Sequence, residues 1–70
     1  MEVTINNNVQ QYRTKATLTQ EQLAEAVGVT RQTIISIEKG NYTPSVALAL
    51  RLAQLFNVTV EEVFSIHYEK

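Results

Sequence analysis

The strongest constraint on this sequence is the regular placement of residues that start and stop helices. Four hydroxyl residues each stand immediately before a segment of helical apolar periodicity, as N-cap residues do: Thr19, Thr30, Ser45 and Thr59. Gln22 and Glu62 complete capping boxes with the first and last of them. Gly28 and Gly40 fall where helices should end, because glycine adopts the left-handed conformation found after many helices. The spacing predicts five short helices, at about residues 7–16, 20–27, 31–39, 46–56 and 60–64.

The two ends of the chain follow a different periodicity. Val3 and Ile5 alternate with polar neighbours, as do Phe64, Ile66 and Tyr68, and a period of two predicts strands at about residues 2–6 and 64–69. The two segments either pair as a short antiparallel ribbon or fray as tails, because a lone hairpin is marginal in water. We therefore expect an all-α, compact five-helix fold in one domain, residues 1–70, with the terminal ribbon as an optional addition.

Composition limits the chemistry available to this chain. It has no cysteine and no aspartate, its one histidine is His67 near the C-terminus, and its two glycines cannot form a phosphate-binding loop. We expect no enzyme activity, no metal, no cofactor and no small-molecule ligand. No apolar run approaches the roughly 20 residues that cross a bilayer. The expectation is a cytoplasmic protein without a membrane partner.

The segment from residue 20 to residue 39 carries the most specific motif. Two predicted helices are separated only by Gly28-Val29-Thr30, and so short a turn makes them cross steeply, as in a helix-turn-helix. Ala24 is small where the second helix must approach. The positions that a shared core would fill are all apolar: Leu23, Val27, Val29, Ile34 and Ile37.

Over about residues 7–64 the sequence resembles the small Cro/repressor-type helix-turn-helix regulators, the xenobiotic-response-element family. Many positions agree at fixed spacing, and they are Leu18-Thr19-Gln20, Leu23-Ala24, Gly28 through Ile34, Ile37-Glu38, Gly40, Pro44-Ser45, Ala49-Leu50, Val58 and residues 61–64. The resemblance implies a repressor-like five-helix fold that binds double-stranded DNA and regulates transcription, with the helix at residues 31–39 in the major groove.

The resemblance also implies which side chains read the bases. Arginine can form two parallel hydrogen bonds with guanine, glutamine can do so with adenine, and serine is permissive. The implied base contacts are Arg31, Gln32 and Ser36, with Thr33 and Ile35 beside them. For Arg31 and Gln32 the alternative is an exposed polar helix face. Ile35 would either touch a thymine methyl or pack near Tyr42.

The implied phosphate contacts come from the start of the first motif helix, from the N-cap of the second, and from the loop that follows. They are Gln20, Thr30, Lys39, Asn41, Tyr42 and Thr43. A helix N-terminus favours an anion. Asn41 could instead only form the turn, and Tyr42 could pack on the core with its hydroxyl outside. Arg13 and Glu38 match family positions that form a buried ion pair between the first helix and the helix at residues 31–39.

A homodimer is expected, because two-fold dimers read half-sites about one DNA turn apart. The resemblance implies contacts from the C-terminal part of the chain, whose spare apolar residues are Leu55, Val60, Val63, Ile66 and Tyr68. The alternative is that these residues complete a small core. A different class of function is also open, an antitoxin-like or accessory module that binds another protein through this apolar C-terminal face.

The net charge of −1 conceals an uneven distribution. Residues 13–51 carry five basic and three acidic side chains, whereas the remaining residues carry one basic and four acidic ones. A mildly basic middle is compatible with DNA. It predicts weak nonspecific binding for each subunit, and hence a need for a second subunit.

Overall fold

The computed structural model describes residues 3–68. In chain order the elements are β1 (Val3–Asn7), α1 (Val9–Lys15), α2 (Gln20–Val27), α3 (Arg31–Glu38), α4 (Val46–Phe56), α5 (Val60–Val63) and β2 (Phe64–Tyr68). The predicted five helices are confirmed, and so is the terminal ribbon, since β1 and β2 pair antiparallel. The expected all-α class is therefore only approximately right. Residues 2 and 69, where the predicted strands began and ended, lie outside the described residues.

All four predicted N-caps are confirmed. The side-chain oxygens of Thr19, Thr30 and Ser45 each accept a hydrogen bond from a backbone N–H in the first turn of α2, α3 and α4. Thr59 does the same for α5. The reciprocal side-chain bonds of Gln22 and Glu62 complete both predicted capping boxes. These local bonds explain why α2, α3, α4 and α5 begin where the sequence pattern changes.

Three of the helices, α1, α3 and α5, have bounds that differ from the prediction. Helix α1 begins at Val9 and not at residue 7, because Asn7 is the last residue of β1, where it pairs with Phe64. Helix α5 ends at Val63 because Phe64 has already turned to an extended conformation as the first residue of β2. Helix α3 ends at Glu38, with Lys39 as its C-cap.

The core lies among the five helices. Its buried members are Val9, Leu23, Ala24, Val27, Ile34, Ile37, Leu48, Leu52, Ala53 and Val63. One expectation needs correction. Val63, predicted at a dimer interface, has no exposed surface because it fills this core. On α4, Leu48 and Leu52 are buried, whereas Val46 and Leu50 are 77% and 49% exposed.

The ribbon has one apolar face and one polar face. In its register, Val3 pairs with Tyr68, Ile5 with Ile66 and Asn7 with Phe64, and directly opposed residues share a face. Phe64 packs against the core, whereas Val3, Ile66 and Tyr68, nearer the tip, are more than half exposed. The apolar strip thus begins on the core and continues past it into solvent.

No helix within residues 3–68 combines the length and the hydropathy that crossing a bilayer would demand.

Candidate nucleic-acid interface

A three-residue turn sets the crossing of α2 and α3. Gly28 has a φ of +79°, a left-handed conformation that glycine adopts without strain. The N–H of Val29 then returns to the carbonyl of Ala24 at 2.9 Å, which closes the end of α2. Ala24 is 2% exposed, so its small side chain lies in the packed crossing. Arg51 of α4 donates from Nη1 to the carbonyl of Val27 at 3.4 Å and holds the same turn from outside.

Helix α3 has a buried side and an open side. Ile34 and Ile37 are buried in the core, and Arg31 and Gln32 at the start of the helix are exposed. With 3.6 residues per turn, the open side that begins with Gln32 continues with Ile35 and Ser36, one turn further along, and Lys39, two turns further along. Ile35 and Ser36 are partly buried, and Lys39 is exposed.

Thr33 lies on the flank of α3 and its hydroxyl is already engaged. The Oγ1 atoms of Thr30 and Thr33 are 3.0 Å apart in a hydrogen bond that either atom could donate. Thr30 Oγ1 also accepts from the Thr33 backbone N–H at 3.3 Å. Together the two threonines close the N-terminus of the helix.

The side chains of Arg13 and Glu38 form an ion pair between α1 and α3. Arg13 Nε donates to Glu38 Oε2 at 2.7 Å and Nη2 donates to Oε1 at 3.3 Å, a two-pronged arrangement. The side chains are only 12% and 5% exposed. Arg13 Nη1 also donates to the carbonyl of Leu18 at 2.9 Å. With its guanidinium used in this way, Arg13 is a structural residue of this surface.

Gln20 joins this pair through a bond that sequence reasoning missed. Its Nε2 donates to Glu38 Oε1 at 3.0 Å, so the first residue of α2 is tied to the last residue of α3. The two residues are 18 positions apart, and no local pattern links them. The second N–H of the Gln20 amide remains as a donor for an anion, as do the backbone N–H groups of Gln20 and Glu21, whereas the Gln22 N–H is bonded to Thr19.

An open recess of about 470 Å³ lies beside this network. Its walls include Arg13, Thr19, Gln20, Glu21 and Arg31. The start of α2 and the start of α3 thus border one concave surface. Helix N-termini attract anions, and Arg31 adds a positive charge, whereas Glu21 opposes it.

The loop after α3 begins with a second left-handed glycine. Gly40 has a φ of +81°, and the N–H of Asn41 returns to the carbonyl of Ser36 at 2.9 Å. The left-handed residue that forms this turn is therefore Gly40 and not Asn41. Tyr42 is 48% exposed, so it does not pack as a core residue. The candidate phosphate contacts in this stretch are all exposed: Lys39, Asn41, Tyr42 and Thr43.

The residues expected at a dimer interface do not form one surface. Val60 and Ile66 line an apolar recess of about 470 Å³ at the base of the ribbon. Leu55, 43% exposed, lines a different recess with Tyr12 and Lys15. Tyr68 is 58% exposed on the apolar ribbon face.

Acidic and histidine side chains do not cluster in threes anywhere in residues 3–68, so the described part of the chain presents no candidate metal site.

Comparison with known proteins agrees with this geometry. A family model described as helix-turn-helix matches residues 9–63. An HTH-type transcriptional regulator of Methanocaldococcus jannaschii is 50% identical over 60 residues, which make up 86% of this chain and 91% of the relative.

Two solved structures are similar in fold and in sequence. The restriction-modification controller protein C.AhdI of Aeromonas hydrophila has a TM-score of 0.71 and 30% identity over 77% of this chain and 82% of its own. The SOS-response transcriptional repressor LexA of Eubacterium rectale has a TM-score of 0.74 and 31% identity. The match covers 79% of this chain and 58% of the LexA chain.

Proposed function

Because this chain belongs to the helix-turn-helix family of Cro/C1-type, DNA-binding transcriptional regulators, we propose that it binds a specific operator as a homodimer and represses transcription there. The observation that best supports this proposal is the open side of α3, where Arg31 and Gln32 are exposed at the N-terminal end. We propose that the protein acts in the cytoplasm, because that compartment holds the DNA.

Base reading is assigned to the open side of α3. The N-terminal residues of a reading helix reach base edges in the major groove. Arg31 suits the O6 and N7 atoms of guanine, and Gln32 suits the N6 and N7 atoms of adenine. Ser36 and Ile35, one turn further along, would extend the contact to a third base and to a thymine methyl. Thr33 would contribute mainly its methyl group, because its hydroxyl bonds to Thr30.

Phosphate contacts are assigned to both ends of the reading surface. At one end, Gln20 and Glu21 line the recess beside Arg31, where their backbone N–H groups would bind a phosphate, and Thr30 caps α3. At the other end are the exposed loop residues Lys39, Asn41, Tyr42 and Thr43. A duplex held at both ends would lie along α3 in a fixed register.

A second subunit is part of the proposal for two reasons. Each bidentate base contact contributes only about 1–3 kcal/mol of discrimination, so a single module would be weakly specific. Ile66 and Tyr68 leave 55% and 58% of their surface exposed on the apolar ribbon face, which a second copy would cover. Val60 borders the adjoining recess. Leu55 would join this interface only if the partner also covered the recess beside Tyr12.

Repression is the proposed outcome of binding. The structurally similar LexA of Eubacterium rectale is described as a transcriptional repressor. A compact dimer seated on its operator would exclude other proteins from the same stretch of DNA.

The exposed ribbon face also favours a second candidate, an antitoxin-like or accessory module that uses Ile66 and Tyr68 to bind a different protein. The two candidates differ in whether the open side of α3 is needed.

The experiment is selection of bound duplexes from a random pool at a stated salt concentration, followed by affinity measurements on the selected site. We expect Arg31→Ala with Gln32→Ala to weaken binding by about 1–3 kcal/mol for each bidentate pair that the substitutions remove. The matched control is Gln11→Ala with Lys15→Ala, which removes one amide and one basic side chain from exposed positions of α1. This control should retain the affinity of the wild type.

Two results would contradict the proposal. Unchanged affinity of the α3 double variant would mean that another surface reads the DNA. Failure to select any duplex, together with a protein that binds the wild type and not an Ile66→Lys variant, would favour the protein-interaction module.

A further inference from the structure

Asn7 lies outside the part of the chain that the family model matches, at the junction of β1 and α1. It is the last residue of the ribbon strand and pairs with Phe64. Asn7 therefore stands where the ribbon joins the helical domain, and its side chain is partly buried.

The two ends of the Asn7 amide contact two different helices. Its Oδ1 accepts a hydrogen bond from the backbone N–H of Val9 at 3.1 Å, in the first turn of α1. Its Nδ2 donates to the backbone carbonyl of Ile37 at 2.9 Å, in the last turn of α3. Because Val9 N–H can only donate and the Ile37 carbonyl can only accept, a flipped amide would lose both bonds. The orientation of the side chain is thus defined by its partners.

The bond to Ile37 is made at the C-terminal end of α3, where backbone carbonyls lack hydrogen-bond partners within the helix. The last carbonyls of a helix have no N–H within the helix to accept from, and among residues 3–68 the other donor to the Ile37 carbonyl is the Gly40 N–H, at 2.9 Å. Among the side-chain contacts of the described residues, α3 is tied to α1 and α2 through Glu38 and to the ribbon through Asn7. The C-terminal end of the reading helix is held to the ribbon by this amide.

We propose that Asn7 is a positioning residue that couples the ribbon to α3 and thereby sets the spacing between half-sites that the dimer accepts. This inference rests on the proposed function, in which the ribbon face contacts a second copy and α3 reads the DNA. The ribbon would then lie at the two-fold axis. The Asn7–Ile37 bond would then fix the position of α3 in each subunit relative to that axis.

The chain offers a closely matched pair of variants. Asn7→Asp keeps an acceptor for the Val9 N–H but removes the donor to Ile37 and adds a negative charge. Asn8→Asp also removes one amide donor and adds one negative charge. The donor that it removes is bonded to the carbonyl of Glu62, at 3.1 Å, and not to α3. Asn7→Ser is a third variant, which keeps a short cap acceptor without adding charge.

The measurement uses the selected operator, versions with one base pair inserted or removed at its centre, and a duplex with a single half-site. Wild-type protein and Asn8→Asp should prefer the original spacing to the same degree. We expect Asn7→Asp and Asn7→Ser to reduce that preference by about fivefold, the order expected for one intramolecular hydrogen bond. On the single half-site, Asn7→Asp should bind as Asn8→Asp does.

The outcomes separate this inference from the function on which it rests. If the wild type prefers one spacing and the Asn7 variants keep that preference, Asn7 does not position α3, and the proposed function stands. If the Asn7 variants lose affinity equally on every duplex, the residue is only structural, and the inference is again wrong. If the wild type binds no duplex, the proposed function fails and the inference fails with it.

Discussion

At the end of α1, Thr17 has a backbone φ of 59°, in the left-handed region that β-branched residues avoid. The same turn ends the first four helices, with a left-handed residue followed by an N–H that returns to a carbonyl five residues earlier. The left-handed residues are Thr17, Gly28, Gly40 and Asn57. Glycine and asparagine tolerate this conformation, whereas threonine is strained in it. The Thr17 hydroxyl donates to the Ala16 carbonyl at 2.6 Å, which offsets part of that strain.

Exchanging the residue types at two of these turns tests the strain directly. Thr17→Asn should raise the free energy of unfolding by about 1 kcal/mol, because asparagine is less strained in the left-handed conformation. Asn57 has nearly the same φ, 58°, so Asn57→Thr should lower the free energy of unfolding by a similar amount. Urea titration followed by circular dichroism measures both. A less stable Thr17→Asn variant would show that the hydroxyl bond outweighs the strain.

Among the elements, α3 depends most clearly on its neighbours for its orientation. Helix α3 has eight residues, a length at which an isolated helix is marginal in water. Ile34 and Ile37 anchor one side of it in the core. Glu38 then receives hydrogen bonds from Arg13 of α1 and from Gln20 of α2. Three helices therefore meet at one carboxylate.

Removal of one partner of this ion pair should destabilise the whole domain. We expect Arg13→Ala to lower the free energy of unfolding by about 3 kcal/mol or more, because Glu38 would remain as a buried charge without its main partner. The charge-free double variant Arg13→Met with Glu38→Leu should lose much less, since both charges leave together. Thermal and denaturant unfolding measure the two effects. Arg13→Ala with the midpoint of the wild type would contradict the structural role.

At the scale of the whole molecule, charge and apolar surface are segregated. The net positive charge lies within residues 13–51, which include α2 and α3, and the segments on either side of it are acidic. The exposed apolar ribbon face, with Val3, Ile66 and Tyr68, belongs to those outer segments. The two properties thus suit two different partners, DNA for the middle of the chain and a protein surface for its ends.

Neighbouring residues of β2 on opposite ribbon faces provide the test for the dimer. Ile66 lies on the apolar face with Ile5, and His67 lies on the polar face with Thr4. Both are exposed, so a lysine fits at either position without disturbing the core. We expect Ile66→Lys to give a monomer mass in light scattering at micromolar concentration, because the interface would bury a charge. His67→Lys should remain a dimer.

Circular dichroism should show the same helix content for both variants. A monomeric wild type at this concentration would exclude the homodimer. A dimeric Ile66→Lys variant would place the interface elsewhere, with the recess beside Leu55 as the next surface to test.

Local sequence signals are sufficient to predict the helices and strands of this fold. The caps, the glycine turns and the two periodicities act over a few residues, so they could be recognised without knowledge of distant contacts. They predicted α2 and α4 to their terminal residues and the pairing of the two ends as one of two alternatives. The turn in the helix-turn-helix was equally accessible, because Gly28 and Thr30 act within it.

Which side of each helix or strand is exposed depends on how the elements pack together. Val63 and Ile66 have the same apolar character, yet one fills the core and the other lies in solvent, because α5 gives way to a strand between them. Gln20 bonds to Glu38 across 18 residues, and Asn7 bonds to Ile37 across 30. Such contacts depend on where the chain returns in space. A local sequence pattern predicts where a helix begins, but it does not predict which distant residue contacts the other end of that helix.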